Sequence, residues 1–128
     1  MKALAFLLNQ QTEELGEVLQ VIGKINRFGL DSRRPGTDEN GEPHKTNREL
    51  LVTELNDVEA AVRLLRDYLD EDGRGGLPGL GDEQFIAQRM DKFMHFATVS
   101  ANAGFLEHGD TPTTTPESAF DTKAPVTP

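Results

Sequence analysis

The sequence has no cysteine and no tryptophan, which excludes disulfides, thiolate nucleophiles and zinc ribbons. Its three histidines, His44, His95 and His108, stand too far apart to form a metal-binding histidine motif. Basic residues are few. Thirteen Lys and Arg against 22 Asp and Glu leave a net charge of −9, and because phosphate polymers reward clustered cations, no nucleic acid polymer is expected as a partner. No apolar run approaches the ~18 residues of a membrane span, and the stretch from Met1 to Leu8 is too short for a signal sequence. The expectation is therefore a cytoplasmic protein with no membrane partner. With 36% hydrophobic and 6% aromatic residues in 128, the chain is expected to have only a modest core.

What is present reads as helices. The first is expected from about Lys2 to Arg27, stopping at Phe28-Gly29 in the manner of a glycine C-cap. Residues 29 to 45 (GLDSRRPGTDENGEPHK) carry loop punctuation throughout. Thr46 or Asn47 then caps a second helix, with Glu49 placed as in a capping box, and this helix runs to about Asp70. Residues 73 to 81 (GRGGLPGLG) form a glycine-rich connector that lacks the preceding strand and the following Lys-Ser/Thr of a phosphate loop. Asp82 caps a third helix, roughly 83 to 106. In it Ile86, Met90, Phe93, Ala97 and Gly104 share a face that Phe85, Phe96 and Phe105 widen. This gives one helical domain, 1–108, and a Pro- and Thr-rich tail, 109–128, expected to be disordered.

Four acids break the apolar pattern. At ~100° per residue, Leu4, Leu8, Leu15, Leu19 and Ile22 form the centre of an apolar arc on the first helix; Glu14 lies ~100° from Leu15, inside the arc, and Glu17 ~160° away, on its edge. On the second helix, Leu51, Val58, Val62, Leu65 and Leu69 gather near Leu55, while Glu54 and Asp57 repeat those two offsets. In an antiparallel hairpin turning between Pro35 and Gly36, Glu17 lies beside Glu54 and Glu14 beside Asp57. Two carboxylates ~5 Å apart repel by roughly 3 kcal/mol at an effective dielectric near 20. A hard divalent cation relieves that repulsion. Solvated helix faces also carry Glu-x-x-Glu pairs, but two such pairs in one angular phase, each set among Leu and Val, favour a metal site.

The run Glu-Glu-Leu-Gly-Glu (13–17) followed by Glu-Leu-x-Asp (54–57) resembles the all-α nucleoside triphosphate pyrophosphohydrolases, the MazG-like group, across residues 10 to 66. The resemblance implies an all-α MazG-like helical bundle: an antiparallel helix hairpin plus a third long helix, completed by oligomerisation as a homodimer or homotetramer. It implies Mg²⁺, for which Mn²⁺ substitutes, held by Glu14, Glu17, Glu54 and Asp57; Glu17, at the edge of its arc, is also the acid expected to act as catalytic base. The implied reaction converts a ribo- or deoxyribonucleoside triphosphate to its monophosphate and pyrophosphate. Phage-encoded members suggest a purine deoxynucleotide such as dGTP, which would place the protein in a host cytoplasm. The 36 residues between Glu17 and Glu54 exceed the family's usual spacer, and the extra length falls in the 29–45 loop.

Candidate substrate contacts follow from position. Arg33, Arg34, Lys45 and Arg48 bracket the loop and can reach phosphates; Lys24 lies seven residues beyond Glu17. Asn47, seven residues before Glu54 on the same face, and Gln10, one turn before Glu14, can hydrogen-bond a base or sugar. Two other classes compete. A ferritin-like iron or manganese bundle needs Glu-x-x-His, and no histidine follows any of the four acids at that spacing. A non-catalytic helical oligomer or adaptor would turn the same acids towards a basic partner.

Overall fold

The computed structural model describes residues 2–104, and the expectations for the 109–128 tail and for Phe105 lie outside them. Three helices account for the regular structure: α1 (Ala3–Phe28), α2 (Asn47–Asp70) and α3 (Glu83–Asn102). No strand occurs among the described residues, only two isolated bridges, Arg33 with Thr46 and Thr37 with Pro43. The chain is thus all-α. It divides into two compact units at the glycine-rich connector, Met1–Leu77 and Pro78–Pro128. None of the three helices is long and apolar enough to cross a membrane.

Helix ends follow local chemistry. Gly29, at φ 91°, closes α1 and donates its N–H to Ile25 O, a conformation glycine reaches without a Cβ penalty. At the start of α2 the Thr46 hydroxyl accepts from Glu49 N while the Glu49 carboxylate accepts from Thr46 N, a complete capping box. Asp82 caps α3 by accepting from Phe85 N. Replacing Thr46 by Ala removes an acceptor from the first turn of α2 and is expected to cost about 1 kcal/mol. Urea denaturation of T46A would read that loss directly.

Within the first unit, α1 and α2 pack as an antiparallel hairpin. Val21 and Ala61 are its buried residues on the two helices, flanked by half-buried Leu7, Val18 and Ile25 on α1 and by Val58, Leu65 and Leu69 on α2. Both covered lines are turned about 80° from the centres of the apolar arcs at Leu15 and Leu55, counting ~100° per residue. The expectation that Leu15 and Leu55 lie at the middle of a buried face is therefore corrected: they remain 52% and 50% exposed. One helix partner covers one flank of an arc this wide. On α1 the flank left over consists of Leu4, Leu8, Leu15, Leu19 and Ile22, all exposed.

In the second unit, Ala101 is the buried residue of α3. Ile86, Met90 and Phe93, expected on its covered face, are exposed instead, as are Phe85 and Phe96. Here too the apolar pattern is wider than the surface that meets it.

The 29–46 segment is no open loop. Asp38 caps its tip, with Oδ1 accepting from Asn40 N and Glu42 N and its own N–H donated to Glu42 O. Its outgoing arm is tied to the first turn of α2 by backbone bonds from Asn47 N to Ser32 O and from Arg48 N to Leu30 O, both 2.8 Å. These use N–H groups that the first turn of a helix otherwise leaves without partners. Arg48 adds a two-pronged ion pair to Asp31, at 2.7 and 3.0 Å. That guanidinium holds the Asp31 carboxyl below its ordinary range. A lowered carboxyl contributes stability above the unfolded-state pKa that is lost as pH falls through the folded-state value. The pair therefore loosens only on the acid side of the usual carboxylate range.

Candidate metal centre and adjoining cavity

The rotation of the hairpin decides where the acids go. Glu14 and Glu54, each ~100° from its arc centre, fall in the middle of the covered line and are half-buried. Asp57 and Glu17, ~160° away, fall on its edge and are exposed. Glu14, Glu54 and Asp57 come together, each offering a carboxylate oxygen, with these atoms all within 4.8 Å of one another. Glu17 stands outside this trio. Gln10, expected to contact a base or sugar, instead donates from Nε2 to Glu14 Oε1 at 2.7 Å and so orients that carboxylate.

The donor set fits a hard divalent cation. All three donors are carboxylate oxygens, the ligand type of Mg²⁺ and Mn²⁺. No Lys or Arg forms an ion pair with any of the three among the described residues: Arg63 is bound to Glu59, Arg66 to Asp67 and Arg74 to Glu71. Gln11, three residues before Glu14, was not singled out from the sequence. Its Nε2 is buried with no hydrogen-bond partner among the described residues. An unpaired buried donor costs on the order of 1–3 kcal/mol.

Towards the turn of the hairpin, the 29–46 segment and the helix ends enclose a cavity of about 790 Å³. Five of the seven residues expected to contact substrate line it: Lys24, Arg33, Arg34, Lys45 and Asn47. Arg48 does not, being held outside by Asp31, and Gln10 belongs to the acidic trio. The lining also includes Phe28, His44 and Leu50. Histidine scarcity gave no reason to single out His44, whose place here depends on the fold of the segment. None of the four lining Lys and Arg forms an ion pair among the described residues. Four cations thus meet a single acid, Asp38, in the lining of this cavity.

Three carboxylates and a cationic cavity thus occupy neighbouring stretches of one hairpin. Leu50 of the cavity and Glu54 of the trio are one turn apart on α2, roughly 6 Å along the axis at 1.5 Å per residue. Comparison with protein-family models, with curated proteins and with solved structures finds no match to this chain.

Proposed function

We propose that the hairpin is the active unit of a Mg²⁺-dependent nucleoside triphosphate pyrophosphohydrolase, which converts a ribo- or deoxyribonucleoside triphosphate to the monophosphate and pyrophosphate. The observation that carries the reading is the convergence of Glu14, Glu54 and Asp57 beside a cavity ringed by Lys24, Arg33, Arg34 and Lys45. A site for a metal-bound polyphosphate needs both elements. The resemblance to the MazG-like signature supports it from the sequence side: three of the four acids that the resemblance implies as ligands are the converging ones.

Glu14, Glu54 and Asp57 would hold Mg²⁺, for which Mn²⁺ substitutes, and Gln10 donates to the Glu14 carboxylate. Bound there, the cation supplies neutralisation of developing phosphate charge and lowers the pKa of a bound water. The chain's own cations grip the phosphates and oppose the charge of the departing pyrophosphate. In the reaction a water oxygen bonds to phosphorus while the P–O bond bridging the α and β phosphates breaks, and its electron pair leaves with the bridging oxygen. The proton of the water passes to a carboxylate. Glu17, exposed on α1 one turn from Glu14, is assigned that role because no ligand duty holds it within the trio.

The second part of the proposal is assembly. Among the described residues the buried hydrophobic core is Val21, Ala61 and Ala101, and no large side chain is fully buried. A core of that size falls well short of the apolar burial that sustains a domain of ordinary stability. Helices covered on one flank gain the rest by meeting another copy of the chain, as a homodimer or homotetramer. The same exposed flanks would serve a non-catalytic oligomer or adaptor, so assembly and chemistry are tested separately. Incubation with the eight common triphosphates and Mg²⁺ is expected to release pyrophosphate and monophosphate from at least one of them. Failure to hydrolyse any of them with either Mg²⁺ or Mn²⁺ sinks the enzymatic reading.

A further inference from the structure

Asn47 is the one buried polar residue of the described chain, 6% exposed at the foot of α2. Its orientation is fixed by chemistry. The side chain makes a 2.9 Å hydrogen bond to Gly29 O, and a carbonyl only accepts, so the group facing it must be the Nδ2 amide. Gly29 is in turn held at the end of α1 by its own bond to Ile25, which leaves the carboxamide little freedom to flip. The side-chain oxygen takes no hydrogen bond among the described residues. A residue that lines the cavity therefore brings it a locked acceptor. Phe28 lines the same cavity and is 67% exposed. An aromatic face so open loses hydration favourably when a flat ring stacks on it.

We propose that the cavity of the 29–46 segment seats the base of the nucleotide, with Phe28 as its stacking face and Asn47 Oδ1 as an acceptor that selects a base edge bearing an N–H donor. Asn47 is then a specificity-determining residue, with an exocyclic amine, rather than the ring N–H that uracil and hypoxanthine also carry, as the donor it selects. The inference rests on the nucleotide reading above but not on hydrolysis. The spacing agrees: Asn47 lies two turns before Glu54, about 10 Å along the helix, a separation that a nucleotide spans with its base at Asn47 and its phosphates directed towards the acidic trio. Rejection is built in as well, because a base presenting a carbonyl there would place two acceptors together and leave both without a proton.

The test uses the full-length protein, chelator in place of metal, and nucleoside monophosphates that cannot release pyrophosphate. Binding is measured by calorimetry for three pairs: guanosine against inosine, adenosine against purine riboside, and cytidine against uridine monophosphate. In at least one pair the amine-bearing member is expected to bind tighter by about 2-fold to 10-fold, the net worth of one hydrogen bond. F28A should weaken that ligand while leaving circular dichroism unchanged, since the ring is mostly in solvent. N47D keeps an acceptor but sets it against Gly29 O; it should reduce the preference for the amine, read as the affinity ratio within the pair rather than as absolute affinity. Equal affinity within all three pairs, or preference for the carbonyl member, overturns the proposal. A clear amine preference without turnover of any triphosphate would leave base selection standing and remove the hydrolase reading.

Discussion

Glu54→Gln is expected to lower pyrophosphate release by on the order of 10³-fold, about 4 kcal/mol of transition-state stabilisation, with helical circular dichroism unchanged. Glu54 occupies the middle of the α1–α2 contact and is one of the three converging carboxylates. Its amide isostere keeps the shape of the packing but gives up a negative ligand. The metal dependence of stability should disappear with the activity. In the wild-type protein, millimolar Mg²⁺ or Mn²⁺ is expected to raise Tm, because a ligand that binds only the native state stabilises it by mass action. In E54Q that increment shrinks, while the chelated protein is at least as stable as the chelated wild type. E13Q serves as the control, since Glu13 lies on the exposed side of α1 and should leave both readouts alone. Full activity in E54Q, or loss in E13Q, would mean that the helical phase assigned to the site is wrong.

Leu15→Lys combined with Leu19→Lys should take the assembly apart. The two side chains are adjacent on the uncovered flank of α1, 52% and 68% exposed in the single chain. In an isolated chain, charges there would be nearly neutral or mildly helpful. In an oligomer they would replace buried leucines, each contributing roughly 1.5–3 kcal/mol, with ammonium groups that have no counter-charge. Light scattering should therefore fall towards the 14.1 kDa of one chain, and Tm should drop by well over 10 °C, at about 4–8 °C per kcal/mol for a small domain. A variant that scatters and melts like wild type would show that this flank meets no second copy.

The parts of the molecule legible in the sequence are those decided locally. The helix ends at Gly29, Thr46 and Asp82 follow from caps that reach only three or four residues, and the observed bounds lie close to those expected. Helical phase also placed Glu14 and Glu54 together, because each lies ~100° from its arc centre on the flank that the hairpin packs, and Asp57, ~160° away, joins them from the margin. Glu17 shows the limit of that argument. Its ~160° offset puts it at the margin, where a rotation of tens of degrees decides between meeting the other acids and facing solvent.

What could not be read depends on distant parts of the chain. An apolar arc with two usable flanks does not say which flank the hairpin will use, so Leu15 and Leu55 were placed at the centre of a face that turned away. The 29–46 segment looked like an unstructured spacer because its order comes from backbone bonds between Leu30 or Ser32 and α2, and backbone groups carry no sequence signature. Once those bonds exist, Lys24, Arg33, Arg34 and Lys45 surround a common space. The list of basic residues could be written from the sequence, but that they surround one cavity, and that Arg48 does not join them, could not.

The bonds from Asn47 N to Ser32 O and from Arg48 N to Leu30 O bear on how a ligand would enter. A wall stitched to the first turn of a helix cannot swing aside unless that turn unravels, so the inserted segment serves as fixed masonry rather than a door. An incoming molecule then meets a vessel already in shape and loses little affinity to ordering it. Association should accordingly be a single fast phase, without the slow isomerisation that a closing flap would add.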